Sequence, residues 1–148
     1  TLALGGGNDA LVIDTTVTDI STATLTSVEA LQLANNVDAS MRIAQHALLG
    51  SAAGANSVTL TDSGTVTCAA EIDGYQLADG GNTFTLGANG QDVSGGSGID
   101  IINAIDTQLS GAVLDGAGAR DTLVVTSSAV GVSAIGGAVN AVTRFCGS

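Results

Sequence analysis

Residues 95–103 read GGSGIDIIN, with glycines at 95, 96 and 98, an aspartate at 100 and an apolar residue at 102. That order of residue types suits a hard divalent cation, because calcium takes about six to eight oxygen ligands. Glycines let a turn adopt backbone conformations that a Cβ forbids and aim carbonyl oxygens inward. The Asp100 carboxylate supplies charge, and the apolar residue beyond it starts a strand whose side chain enters a core. Gly95, Gly96, Gly98 and Asp100 are therefore the first candidate calcium site. One turn cannot enclose an ion, so a partner turn is required, and three stretches offer one. Downstream, DGAGARDTLVV (115–125) places Gly116, Gly118 and Asp121 where they could face 95–100. Just upstream, GANGQDVS (87–94) keeps Gly87, Gly90 and Asp92, and near the N-terminus LGGGNDALV (4–12) keeps Gly5, Gly7 and Asp9. Any chain that reverses direction often uses such turns with or without metal, and the residues alone leave both readings open. The remaining acids Asp14, Asp19, Asp62, Asp73 and Asp79 read as solvated turn residues.

Turns of this kind need an architecture that stacks them. Short apolar clusters recur through the second half at Val58, Val66, Tyr75, Phe84, Val93, Ile102, Val113 and Leu123, a mean step of about 9 residues, and repeats at fixed pitch are the mark of stacked folds. Breaker clusters such as TDSG, DGGN, GANG and SGGSG fall between them. The pattern predicts an all-β chain, a parallel β-roll or β-solenoid of short strands and Gly/Asp-rich turns. Each coil would hold two strands in about 18 to 21 residues, and stacked neighbours would complete the core. Residues 1–148 form one such domain, expected to be a segment of a longer surface protein. One stretch breaks the pattern: DASMRIAQHALLG (38–50) predicts a short helix near 38–49, with Asp38 or Ser40 as N-cap and Gly50 as its stop. The tail 129–148, built of small apolar residues, fits a last coil, a helix or an assembly contact.

GGSGIDIIN matches the nonapeptide G-G-x-G-x-D-x-U-x at every specified position, and with its neighbours it resembles the repeats-in-toxin family of calcium-binding β-rolls. SVEALQLA (27–34) is similar to segments of large bacterial surface proteins of β-solenoid type. The likeness covers about residues 55–126 and departs from the family in lacking a long uninterrupted nonapeptide array. It implies calcium as cofactor, a secreted or cell-surface location, and a structural or adhesive role, with a glycan or cell-surface ligand as a possible partner.

Composition bounds the alternatives. Fourteen acidic residues face three basic ones, a formal net charge of −11, and the cations are Arg42, Arg120 and Arg144 with no lysine. Nucleic acid is excluded as a partner, since phosphate recognition needs a basic face. At 45% hydrophobic and 11% charged the chain is expected to fold, and no apolar run is long enough to span a bilayer. With no nucleophile elbow and three scattered arginines, an enzyme is not expected. His46 is the sole histidine and reads as a packed or surface residue. Cys68 and Cys146 could pair in a disulfide or stand as separate thiols. Threonine pairs at 59/61, 65/67 and 83/85 admit an ice- or carbohydrate-binding face. Docking of the N-terminal coil on the C-terminal coil of another copy would instead make a head-to-tail surface-layer or filament subunit, with calcium incidental.

Overall fold

The computed structural model describes residues 1–16, 18–126, 138–140 and 142–147, with side chains up to residue 126. The chain runs through β1 (Leu2–Ala3), β2 (Ala10–Ile13), β3 (Thr18–Asp19), β4 (Leu25–Thr26), β5 (Ala30–Leu33) and β6 (Asp38–Met41) to the helical turn α1 (Ile43–His46). It continues through β7 (Leu49–Ala52), β8 (Ser57–Leu60), β9 (Thr65–Thr67), β10 (Gly74–Gln76), β11 (Thr83–Thr85) and β12 (Asp92–Ser94). The last five strands are β13 (Ile101–Ile105), β14 (Val113–Asp115), β15 (Asp121–Thr126), β16 (Ala138–Asn140) and β17 (Val142–Gly147). Each pairs in parallel with the equivalent strand one coil away, as in β8–β10–β12 and β9–β11–β13. The product is a parallel β-solenoid of about seven turns.

Two long sheets carry the stack. One holds seven strands in the order β16-β14-β12-β10-β8-β6-β3, and the other holds five, β17-β15-β13-β11-β9. Strands this short form because each places one β-branched or aromatic side chain inward between two polar ones, the alternation a pleated strand imposes. TVT at 65–67 and TFT at 83–85 bury the central residue and leave the threonines outside or half-buried. Register then piles equivalent side chains on one another. Val58, Tyr75, Val93 and Leu114 form one core column, and Val66, Phe84, Ile102 and Leu123 form the facing one. Seven of the eight clusters found by spacing are thus core positions. The eighth is displaced by one residue: Val113 is 42% exposed while Leu114 is fully buried.

The N-terminal third departs from the two-strand expectation. There β2, β5 and β7 make a third sheet, and β1 pairs with β4, so the first coils are three-sided. Beyond β7 that side shrinks to turns, filled by the inward Ile72, Gln91 and Leu109. Gln91 replaces a strand's hydrogen bonds with its own amide: Nε2 donates to the Ala69 and Ile72 carbonyls, and Oε1 accepts from the Gly87 and Ala88 N–H groups.

The helix is shorter than 38–49. Asp38–Met41 is strand β6, paired with β8 residue for residue, because Ala39 and Met41 alternate into the core and extend the column of Val58 and Leu60. Packing there overrides local helix propensity. Asp38 and Ser40 therefore cap nothing, and Gly50 lies inside β7. The N-terminal backbone of α1 is held instead by Gln45, whose Oε1 accepts from the Arg42 N–H at 2.8 Å. In the tail, β16 and β17 continue the two sheets, and residues 127–137, 141 and 148 lie outside the described residues. No described helix is long and apolar enough to cross a membrane.

The one-residue displacement has a measurable consequence. Leu114→Ala should cost about 2–5 kcal/mol, whereas Val113→Ala should cost under about 1 kcal/mol, read from urea midpoints of the two variants.

Candidate functional site

The corner that leads from the seven-stranded to the five-stranded sheet carries a polar column. Gly64, Asn82, Asp100 and Asp121 stack there, each reaching back to its predecessor. Asn82 Oδ1 accepts from the Gly64 N–H (3.2 Å), Asp100 Oδ1 from the Asn82 N–H (2.8 Å), and Asp121 Oδ1 from the Asp100 N–H (2.9 Å). Asn82 Nδ2 also donates to Asp100 Oδ1 and to the Ala78 and Gly80 carbonyls, each at 2.9 Å. These side chains lock one coil to the next at 18- and 21-residue spacing, within the coil length read from the sequence.

Gly95 and Gly116 do face one another across adjacent coils, with the Gly95 N–H donating to the Asp115 carbonyl at 2.7 Å. Asp100 and Asp121 are both 0% exposed. Asp100 Oδ2 is buried without a hydrogen-bond partner, a costly condition for a carboxylate oxygen. A Cβ on Gly95 would lie 2.6 Å from that oxygen and 2.6 Å from the Gly116 carbonyl oxygen, and one on Gly116 would strike the Asp121 carboxylate. The absent side chains thus let the Asp100 carboxylate pack against Gly95 near the Gly116 carbonyl, and the Asp121 carboxylate pack against Gly116 one coil on. No three His, Cys, Asp or Glu side chains gather into a metal group among the described residues, so a cation here would draw its other ligands from backbone oxygens. An oxygen-only set of this kind fits calcium and not a softer metal.

The glycines act by close approach rather than by unusual backbone angles. None of Gly95, Gly96, Gly98, Gly116 and Gly118 has a positive φ, whereas Ala117 and Ala119, on either side of Gly118, do, at 60° and 65°. A Cβ on Gly96 would collide with the Ala78 backbone and one on Gly98 with the Gly80 backbone. These two glycines are required by coil stacking whether or not an ion is present.

Two other candidates stand apart. Asp92 lies on the opposite corner, exposed, where Oδ1 accepts from the Val113 N–H at 3.0 Å. Asp9 sits in the first coil beside Glu29, whose Oε2 accepts the Asp9 N–H at 2.9 Å; Asp9 Oδ2 is buried without a hydrogen-bond partner, and Gly5 and Gly7 beside it are open. Neither joins Asp100. Three acids read as solvated turn residues are struts between coils: Asp62 Oδ1 accepts from Ile43 N–H, Asp73 Oδ2 from Asn56 N–H and Asp79 Oδ1 from Ser97 N–H.

A second polar cluster is sealed in the core. His46 Nε2 and Tyr75 Oη share a 2.8 Å hydrogen bond, and Tyr75 Oη accepts from the Ala69 N–H at 3.0 Å. The ring of Tyr75 meets His46 and Phe84 edge-on, with centroids 5.5 and 5.0 Å apart. Burial lowers the His46 pKa, and it pushes the neighbouring Cys68 thiol up to about 12. Cys68 is free and buried. The disulfide to Cys146 is not formed: Cys68 follows β9 and Cys146 lies in β17, four strand steps along the sheet and roughly 19 Å apart, where a disulfide tolerates about 7 Å between Cα atoms. The threonine ranks are short. Thr65 stacks on Thr83 and Thr67 on Thr85, and the next coil replaces them with Ile101 and Asn103.

No protein-family model, no curated protein and no solved structure matches this chain.

Two outcomes follow from the sealed cluster. In a Cys146→Ser background, Cys68 should resist a thiol reagent at neutral pH until urea unfolds the chain. Folded His46 binds a proton less readily than the unfolded chain does, so stability should fall as pH drops below about 6.5. Urea midpoints across that range should show the decline, and His46→Gln should flatten it.

Proposed function

We propose that this chain is a structural or adhesive module of a secreted or cell-surface bacterial protein of the repeats-in-toxin type, stabilised by calcium at the Asp100–Asp121 corner. The observation that carries this reading is the Asp100 Oδ2 atom, buried with no hydrogen-bond partner beside the Gly116 carbonyl oxygen. A divalent cation there would neutralise the buried Asp100 carboxylate and give its Oδ2 atom a partner. Asp100 and Asp121 would hold it with backbone carbonyls, Gly95 and Gly116 would let the two carboxylates lie close to the backbone, and Gly96 and Gly98 would keep the coils in contact. The net charge of −11 supports the same reading, because self-repulsion in a compact acidic chain is relieved by bound cations. Binding and folding would then be coupled.

The chain's role in that scheme is scaffolding. A stack of parallel coils is suited to spacing or presenting surfaces.

Thermal unfolding followed by far-UV circular dichroism, in millimolar calcium and in chelator, tests the reading. Calcium at a hundredfold excess over its Kd should stabilise by about 2.7 kcal/mol, which raises Tm by roughly 5–10 °C for a chain of this size. Asp100→Asn keeps the Oδ1 acceptor and the volume, so it should fold and lose the calcium response. Coincident melts of the parent chain in calcium and chelator would remove calcium from the account.

A further inference from the structure

The outer face of the seven-stranded sheet holds a groove of about 410 Å³ that crosses β8, β10, β12 and β14. Polar side chains stand in register along it, one row per coil, over a largely apolar lining that includes the exposed Val113: Thr59, Gln76, Ser94 and Asp115 stack along one line, and Gly74 and Asp92 lie on the line beside it. Alongside it, on the side where these strands begin, a hollow of about 250 Å³ adds Asp38 and Asp73. Among the described residues, neither lining includes a lysine, arginine or histidine.

Gly74 keeps the groove open. Its φ is not positive, and a Cβ there would meet nothing nearer than Ser57 Cβ at 3.5 Å, an ordinary contact. Backbone geometry and packing therefore ask for no glycine at 74, in contrast to 95, 96 and 98. A glycine in a strand weakens it and often marks a bulge, a bend, or a site where a ligand or another backbone approaches closely. The polar groups around it are fixed in advance. Asp92 Oδ1 accepts from Val113 N–H and Asp115 Oδ1 from Ala117 N–H, each at 3.0 Å, and Gln76 Nε2 donates to the Ser94 and Gly95 carbonyls. Preorganised groups lose little freedom on binding.

We propose that this groove binds a linear oligosaccharide bearing free amines, laid along the solenoid axis. Coil spacing is the first reason. Successive rows stand about 4.8 Å apart, close to the length of one pyranose ring, so each sugar would meet a repeat of the same hydroxyl, amide or carboxylate row. Three steps across four strands cover about 14 Å, room for about three sugars. Charge is the second reason: four carboxylates with no basic neighbour in the lining repel an anionic glycan and attract a protonated amine. This site is separate from the Asp100–Asp121 corner and stands whether or not that corner takes calcium.

Isothermal titration calorimetry of the full chain with a glucosamine hexamer, in millimolar calcium and with folding verified by circular dichroism, tests the proposal. Binding should weaken as salt rises. Gly74→Leu should weaken it by at least about tenfold with Tm unchanged or raised. Asp92→Asn with Asp115→Asn, which keeps both Oδ1 acceptors, should weaken it similarly and provides the second measurement if Gly74→Leu misfolds. Absence of binding, unchanged affinity in these folded variants, equal affinity for the N-acetylated hexamer, or equal affinity for hexalysine would each overturn the proposal, the last by reducing it to ion pairing.

Discussion

Parallel hydrogen bonding between coils is the constraint from which everything else in this molecule follows. It sets each residue directly on its equivalent one turn away, so like stacks on like without an intervening element to absorb a mismatch. The consequence for the core is columns: Val58, Tyr75, Val93 and Leu114 on one side, Val66, Phe84, Ile102 and Leu123 on the other. The consequence for polar groups is ladders, in which a side-chain oxygen of one coil takes a backbone N–H of the last. Asn82, Asp100 and Asp121 do this at one corner, and Asn56 and Asp73 at the other, where Asn56 Oδ1 accepts from the Val37 N–H. A ladder is forgiving of asparagine and aspartate exchange as far as Oδ1 is concerned. It is unforgiving about the second oxygen, which at Asp100 is buried without a hydrogen-bond partner.

The sequence made the columns legible because their signal is strong and periodic. Inward side chains in TVT, TFT and DVS are single apolar residues between polar neighbours, and the turns between them are rich in glycine. The miss at Val113 has a simple cause: AVL offers adjacent apolar residues, and spacing cannot say which faces inward. The facing of Gly95 on Gly116 was also legible, since two copies of one pattern stood about one coil apart. The reason for the glycines was not. Their spacing suggested unusual backbone angles, while the structure assigns Gly96 and Gly98 to contact with the coil before and Gly95 and Gly116 to contact with an aspartate of their own coil.

Features that depend on several coils at once stayed hidden. Nothing local in 38–41 distinguishes a helix start from a strand, and the choice is made by Val58 and Leu60 lying beneath Ala39 and Met41. The third sheet of the N-terminal coils, its replacement by the amide of Gln91, and the strut roles of Asp62, Asp73 and Asp79 all require knowing which residues stack. Gly74 was equally silent in the sequence, because one glycine among 21 gains meaning only beside those, such as Gly96 and Gly98, that stacking requires.

The aromatic trio of His46, Tyr75 and Phe84 sits where the three-sided coils give way to two-sided ones. Elsewhere in the described core the columns are aliphatic, and cohesion between coils is passed from neighbour to neighbour in small, similar increments. At this junction two edge-on ring contacts and a hydrogen bond tie residues from successive coils into one clasp. A stack of weakly distinguished layers fails as a crack does, by peeling from a free end. The clasp is a crack arrester, dividing the rod into two lengths that can fray independently while the centre holds tension.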